Sequence, residues 1–190
     1  MCDSDVMRRI ADGDKEAFKE LVNRYKDQVF RLCIKFTGNK EDSEDLTQEI
    51  FFLVYKNAHT FKFKSSVFTW LYRIVLNTSR NFERKKRWNK YFGAVEFNEL
   101  NIDRTAYANS ERETPDEKYQ RTEKIILIDK AINTLPFNQK TAFVLHHVEG
   151  LSYDKIADVM NCSISAVESR IHRAKINLQK KLIKYLQKNM

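Results

Sequence analysis

The side chains best suited to chemistry in this sequence are the acids that cluster between positions 41 and 49. Clustered carboxylates can hold a divalent metal for phosphoryl transfer, so a metal-dependent nuclease is one hypothesis. Dedicated metal sites usually draw ligands from separate elements, and no other element is visibly matched to this cluster. The helix dipole also favours acids near a helix N-terminus, which explains Glu41, Asp42 and Glu44 without any ligand. We therefore predict no metal, no cofactor and no catalytic residue.

Three polar side chains lie deeper in the same predicted helix, beyond the turn that the dipole favours. They are Asp45, Gln48 and Glu49, whose spacing places them on one helix face. The helix continues through apolar residues between positions 50 and 55, which supply a separate face for burial. A polar face beside an apolar one predicts a docking surface for a basic partner.

Alternating aromatic and basic residues interrupt the helical period between positions 59 and 66. The rings of Phe61 and Phe63 can stack on the bases of single-stranded DNA. The side chains of Lys62 and Lys64 can bind its phosphates. The alternative is that one or both rings anchor this loop to the protein core, and the sequence leaves the two readings open.

The predicted helix that follows carries amide and guanidinium groups along one side. These residues are Arg73, Asn77, Arg80, Asn81 and Arg84. A charge run at a helix end is usually a solvated surface, but this combination of groups is suited to contacts with bases and phosphates.

Residues 151–182 indicate two helices joined by a tight turn at Asn161-Cys162-Ser163, where Asn and Ser favour turn geometry. The small Ala157 suits two helices that cross steeply. An ordinary amphipathic hairpin is the alternative interpretation. After residue 160 there are seven Lys or Arg against one Glu, so this end of the chain is cationic. A DNA-binding helix-turn-helix is therefore the favoured prediction.

The second helix of this pair begins with Ser163 or Ser165 as its cap, and Ser165 with Glu168 fits the capping-box pattern. The residues predicted to face inward are Ile164, Val167, Ile171, Ala174, Leu178 and Leu182. The opposite face carries Ser165, Glu168, Ser169, His172, Arg173 and Ile176, with Arg170 and Lys175 on its flanks. Short polar groups in the first turns are what a helix entering a major groove by its N-terminus requires.

Helical periodicity dominates the sequence, and only four Gly and two Pro occur in 190 residues, so we predict an all-α fold. Two small helical domains are expected, at residues 1–88 and 122–190, and the second is predicted to contain four helices. Residues 89–121 have no sustained period and are predicted to form a flexible linker.

The net charge of +8 is unevenly distributed. Residues 61–92 carry +8 and residues 125–190 carry +5, whereas the segment between them carries −3. Two cationic blocks predict two nucleic-acid contacts. The odd number of cysteines (three), without any metal-binding spacing, suits a reducing compartment. There is no bilayer-spanning run and no signal-peptide pattern, so we expect a cytoplasmic protein without membrane insertion.

Two motif blocks resemble bacterial sigma factors of the extracytoplasmic-function (ECF) group. The first runs from EDLTQEIFF to SRNFERKKRW and is similar to the promoter-melting domain of that group. The second, LSYDKIADVMNCSISAVESRIHRAK, is similar to its helix-turn-helix. The resemblance covers nearly the whole chain in the expected order. It implies an alternative sigma factor that joins core RNA polymerase and directs promoter-specific initiation, under the control of an anti-sigma factor.

The resemblance also implies roles for individual residues. Asp45, Gln48 and Glu49 match the D-x-x-Q-E element that docks on the clamp helices of the polymerase largest subunit. The implied contacts with the unwound non-template strand of the minus-ten element are Phe61, Lys62, Lys64, Ser65, Ser66, Arg73, Asn77 and Arg80. Members often carry Gly in this loop, where this chain has Phe63-Lys64-Ser65-Ser66.

The second block implies recognition of promoter DNA at the minus-thirty-five element. We expect Ser165, Glu168, Ser169, His172 and Arg173 near bases, and Arg170 and Lys175 on phosphates. Glu168 can accept a hydrogen bond from cytosine N4, or it is the glutamate of the capping box. The competing hypothesis is a conventional DNA-binding regulator that never joins polymerase.

Overall fold

A computed structural model describes residues 2–91 and 125–188 of the chain. These residues are largely helical and contain no strand, so the all-α prediction is confirmed. The chain divides into two compact units; of the described residues, 2–91 and 157–161 belong to the first, and 125–156 and 162–188 belong to the second. Most of the predicted linker, residues 89–121, lies outside the described residues.

The first unit begins with α1 (Asp3–Ala11) and α2 (Lys15–Thr37). Asp14 caps α2, because its Oδ1 accepts hydrogen bonds of 2.9 Å from the backbone N–H of Glu16 and 3.0 Å from that of Ala17. This local bonding explains why the chain breaks between the two helices at this point.

The next turn is built by Gly38 and Asn39. Gly38 ends α2 with a φ of 80°, a left-handed conformation that glycine adopts without steric cost. Asn39 then caps α3 (Lys40–Asn57), since its Oδ1 accepts a 2.8 Å hydrogen bond from the backbone N–H of Asp42. The short connection makes α2 and α3 neighbours.

A single turn of 3-10 helix, Ala58–Thr60, leads through a loop into α4 (Val67–Tyr91). Helix α2 packs against α1, α3 and α4, and α3 also packs against α4. The fully buried side chains of this core include Leu21, Val29, Leu32, Ile50, Val54, Leu71 and Val75. The core fixes the faces that α3 and α4 turn outward.

The second unit contains a helix at residues 125–133 (α5), then α6 (Phe137–His147), the first turn of α7 (Tyr153–Met160) and α8 (Ile164–Lys188). The prediction of four helices is confirmed. Helix α6 packs against α8, and Asn177 Nδ2 donates a 2.8 Å hydrogen bond to Gln139 Oε1 between them. Buried apolar residues of this unit include Leu145, Ile156, Val167, Ile171 and Ala174.

Candidate nucleic-acid and partner interfaces

The outward face of α3 is acidic at its start and apolar further along. Asp45, Gln48 and Glu49 are all exposed, as their spacing predicted. One turn further along the same helix, Phe52 exposes 63% of its surface. We call Asp45, Gln48, Glu49 and Phe52 the α3 ridge. The exposure of Phe52 could not be predicted from the sequence, because Phe52 lies within an apolar run that includes the buried Phe51.

The two phenylalanines of the loop between α3 and α4 have different environments. Phe61 is only 7% exposed and packs on Trp70, with ring centroids 5.2 Å apart. Phe63 is 43% exposed, and its ring centroid lies 4.7 Å from that of Phe61. Phe61 is therefore an anchor of the loop, which corrects its assignment as a DNA contact. The ring that this loop offers to a ligand is Phe63.

The polar residues of the loop also differ in their environments. Lys62 and Lys64 are exposed, and Ser65 is half-buried. Ser66 caps α4, since its Oγ accepts a 3.0 Å hydrogen bond from the backbone N–H of Thr69. The two hydroxyl groups of Ser66 and Thr69 are also 2.8 Å apart. Ser66 thus has a structural role that its assignment as a DNA contact did not include, although a serine before a helix is a recognisable cap signal.

Helix α4 carries three of the predicted DNA contacts on one side. Arg73, Asn77 and Arg80 follow i, i+4 and i+7 spacing, which places them along a common face. Asn77 and Arg80 are exposed, and Arg73 is half-buried. Leu71 and Val75 are fully buried on the other side of the helix. The helix therefore presents a row of amide and guanidinium groups along one face.

The structure distinguishes between the two predicted caps of α8. The helix begins at Ile164, and Ser163 Oγ accepts a 3.2 Å hydrogen bond from the backbone N–H of Ala166. Ser163 is therefore the cap, and Ser165 already lies within the first turn. Since Glu168 lies five residues beyond Ser163, the capping-box interpretation of Glu168 is wrong. Its carboxylate is exposed.

Most of the predicted faces of α8 are observed. Val167, Ile171, Ala174 and Leu178 are buried, and the exposed residues are Ser165, Glu168, Ser169, His172, Arg173 and Lys175. Ile164 was predicted to face inward but is 45% exposed, because it is the first residue of the helix. Arg170 is half-buried, and its Nη1 donates a 3.1 Å hydrogen bond to Cys162 Sγ. The turn before α8 contains Asn161 at a φ of 49°, a left-handed conformation that Asn tolerates.

The remaining candidate chemistry is limited in the described part of the chain. Within it, no group of three or more His, Cys, Asp or Glu side chains is arranged to hold a metal ion.

Burial raises the pKa of the Cys33 thiol to about 11, so this thiol stays protonated at neutral pH. Burial, together with His146 and Lys175, lowers the pKa of His147. No helix in residues 2–91 or 125–188 is both long and apolar enough to cross a bilayer.

Comparison with known proteins assigns both halves of the chain. The family model of sigma-70 region 2 matches residues 21–89, and that of sigma-70 region 4 matches residues 125–178. The chain is 31% identical to the ECF RNA polymerase sigma-E factor of Haemophilus influenzae over 96% of each chain. The chain belongs to the ECF sigma factors of the sigma-70 family. This family consists of transcription initiation factors.

A second relative supports the ECF assignment, and two solved structures share the fold of the chain. The chain is 30% identical to the ECF RNA polymerase sigma factor SigW of Bacillus subtilis, over 93% of this chain and 94% of that one. Its fold is similar to that of CnrH in complex with the cytosolic domain of CnrY, with a TM-score of 0.67 at 22% identity over 96% of this chain and 97% of that one. It is also similar to the sigma factor RpoE of Bartonella quintana in complex with the anti-sigma factor NepR, with a TM-score of 0.65 at 23% identity over 87% and 96%.

The matched ranges also identify which parts of this sigma factor the family models leave out. The region 2 match contains α3, the loop after it and nearly all of α4. A conventional DNA-binding regulator that never joins polymerase would have no use for these elements. Helix α1 lies before that match, and the last turns of α8 lie beyond the region 4 match.

Proposed function

We propose that this sigma factor joins core RNA polymerase through the α3 ridge and selects promoters through two separate DNA-binding surfaces. Residues 1–88 act on the minus-ten element, residues 122–190 act on the minus-thirty-five element, and residues 89–121 connect them. The observation that carries this proposal is the coexistence of an exposed acidic ridge on α3 with cationic faces on α4 and α8, in a chain that matches both sigma-70 regions.

The docking role of the α3 ridge follows from its chemistry. Asp45 and Glu49 lie too far from the start of α3 for the helix dipole to explain them. The exposed ring of Phe52 adds a large apolar surface beside these carboxylates. Apolar area with neighbouring charge is typical of a protein interface, where burial of the ring contributes affinity and the charges contribute orientation. A basic partner surface with an apolar pocket fits this ridge.

The minus-ten role is assigned to the loop and to the outward face of α4. Lys62 and Lys64 bind phosphates of the separated non-template strand, and Ser65 lies between them and the start of the helix. Arg73, Asn77 and Arg80 continue this contact along α4, where their common face suits a strand that follows the helix. Ser66 acts mainly by capping α4, and Phe61 acts by anchoring the loop.

The minus-thirty-five role is assigned to the first turns of α8. Ser165, Glu168 and Ser169 are short or acidic groups that reach base edges in a major groove. His172 and Arg173 extend the same exposed face, and Arg173 is long enough to bind a phosphate. Lys175 and Arg170 lie on the flanks of this face. With the capping box excluded, Glu168 is available to accept a hydrogen bond from cytosine N4.

Regulation by an anti-sigma factor and a cytoplasmic location complete the proposal. Support comes from relatives whose solved structures contain such partners, namely RpoE of Bartonella quintana with the anti-sigma factor NepR. A protein that covers the α3 ridge or the α8 face would block polymerase or DNA. The cytoplasmic location follows from the proposed role, because bacterial transcription takes place in the cytoplasm.

The experiment that tests the proposal is transcription from a randomised promoter library by core polymerase with and without the purified chain. We expect the chain to enrich a common pair of promoter elements. A double substitution, Asp45→Ala with Glu49→Ala, should weaken the binding of polymerase. Its matched control is Glu41→Ala with Glu44→Ala, which removes the same charge from exposed positions of the same helix. No enrichment by the wild-type chain, or equal losses in the two double variants, would contradict the proposal.

A further inference from the structure

The loop between α3 and α4 contains a bulky residue in a conformation that usually requires glycine. Phe63 has a φ of 55°, which lies in the left-handed region that L side chains rarely adopt. Such a conformation carries a steric cost, so it persists only where the surrounding structure holds the residue in place. The contacts of the Phe63 ring therefore identify what maintains the loop.

Two side chains from different elements hold this ring. The guanidinium carbon of Arg8, on α1, lies 5.1 Å from the centroid of the Phe63 ring, within the range of a cation–π interaction. The Phe61 ring lies 4.7 Å away, tilted by 54°, and rests in turn on Trp70 of α4. Arg8, Phe63, Phe61 and Trp70 thus form a continuous stack from α1 to α4, which we call the loop stack.

The exposed part of the loop stack is suited to a nucleobase. Phe61 meets Phe63 at a tilt of 54°, and 43% of Phe63 is exposed. The neighbouring Lys62 and Lys64 are exposed too, so cationic groups lie on both sides of the ring in the sequence. An exposed ring flanked by lysines is the arrangement that binds single strands by base stacking and phosphate contact.

We propose that Phe63 stacks on an unpaired base of the promoter strand and that Arg8 is the positioning residue that holds Phe63 in this conformation. This inference rests on the proposed minus-ten role of the loop and adds α1 to it. Helix α1 lies outside the region 2 match, so that match gives Arg8 no role. Arg8 acts through the ring and does not itself bind the strand.

The choice of substitutions follows from the backbone. Phe63→Gly removes the ring, and glycine adopts the positive φ without steric cost. The effect of losing the ring is therefore measured without a change in the conformation of the loop. Arg8→Gln removes the cation at similar side-chain length, and Arg8→Lys restores it. Arg9→Gln is the matched control, because both arginines lie on α1 and pair with an acid. Arg8 Nη1 lies 3.1 Å from Asp5 Oδ1, and Arg9 Nη2 lies 2.6 Å from Asp14 Oδ2, but the Arg8 guanidinium lies over the Phe63 ring.

The test uses holoenzyme assembled from core polymerase and the full chain, on a promoter fork selected from the transcription library. Each adenine of the single-stranded minus-ten segment is replaced in turn by a fluorescent analogue whose emission falls when an aromatic ring stacks on it. We expect the wild type to quench one position. Phe63→Gly should abolish that quenching and weaken fork binding by about tenfold or more. Arg8→Gln should reduce the quenching and weaken binding by about two- to fivefold, with partial recovery in Arg8→Lys.

The outcomes separate this inference from the proposed function. If wild-type holoenzyme does not bind the fork, the proposed minus-ten role itself is wrong. If it binds and Phe63→Gly has no effect, Phe63 is not the stacking ring. If Arg8→Gln matches Arg9→Gln in quenching and affinity, Arg8 does not position the ring. If Arg8→Gln lowers the slope of log affinity against log salt by about 0.7, Arg8 binds a phosphate directly and the positioning role is overturned.

Discussion

Arg170 donates a hydrogen bond from Nη1 to Sγ of Cys162, at 3.1 Å, and so ties the second turn of α8 to the turn that precedes the helix. The sequence predicts a phosphate contact for Arg170 and a base contact for Arg173, one turn further along. In the structure Arg170 is half-buried and Arg173 is exposed. Their roles in the helix-turn-helix therefore differ, and the difference is measurable.

The first prediction concerns the stability of this turn. Arg170→Ala should destabilise the helix-turn-helix by about 1 kcal/mol, because a hydrogen bond between the turn and the helix is lost. Hydrogen exchange of backbone amides near residues 161–170 should become faster, and Cys162→Ala should reproduce this change. The control Arg173→Ala should leave the exchange as in the wild type. Identical exchange in all three variants would show that the Arg170–Cys162 contact does not hold the turn.

The second prediction concerns Arg173 and the salt dependence of DNA binding. Arg173→Ala should weaken binding to a minus-thirty-five duplex. If Arg173 neutralises one phosphate, the substitution also reduces the slope of log affinity against log salt by about 0.9, the value for one phosphate on duplex DNA. Lys130→Ala is a charge-matched control, because Lys130 is exposed on α5, outside the helix-turn-helix. A weakened affinity with an unchanged slope would instead assign Arg173 to base recognition.

The third prediction separates the anchor from the exposed ring in the loop after α3. Phe61→Ala should destabilise the first unit by about 3–5 kcal/mol, because it removes a buried ring from its contact with Trp70. Phe63→Ala should cost less, because Phe63 is 43% exposed whereas Phe61 is 7% exposed. Urea unfolding followed by tryptophan fluorescence reports this unit specifically, since Trp70 and Trp88 both lie in α4. Equal destabilisation by the two substitutions would contradict the assignment of Phe61 as the anchor.

Much of the fold was predictable because helix boundaries depend on local chemistry. The chain breaks at Gly13-Asp14 and at Gly38-Asn39, where a glycine or a capping side chain satisfies backbone groups within a few residues. Such signals can be read without knowledge of the tertiary structure. The exposed faces of α3 and α8 were predictable for the same reason, since helical periodicity alone sets them.

The candidate site was less predictable wherever two similar residues compete for one role. Phe61 and Phe63 alternate with lysines in the same way, and only packing on Trp70 distinguishes the buried ring from the exposed one. Ser163 and Ser165 are both plausible caps, and the choice between them decides whether Glu168 is part of a capping box. Arg8 was not identified, because it lies 55 positions before Phe63 in the sequence.

The fourth prediction concerns the pH dependence that Asp14 gives to the first unit. Hydrogen bonds from the backbone N–H groups of Ala17 and Glu16, and the side chain of Arg9, hold the pKa of this carboxyl below its usual value of about 3.9. A carboxyl with a lowered pKa in the folded state stabilises the fold above its unfolded pKa, and this contribution disappears as the pH falls through the folded pKa. We therefore expect the Tm of the wild type to fall more steeply below about pH 4 than that of Asp14→Asn, which keeps a capping oxygen but cannot titrate in this range.

Substitution of Asp14 by alanine completes this test. Asp14→Ala should lower the Tm already at neutral pH, because α2 then loses the acceptor for two backbone N–H groups. Asp12→Asn is the matched control, since Asp12 is exposed two positions earlier and its side chain is not the cap of α2. Thermal unfolding followed by tryptophan fluorescence at several pH values measures all three variants. If the Tm of Asp14→Asn followed the wild-type curve below about pH 4, the acid sensitivity of this unit would originate at other carboxyls.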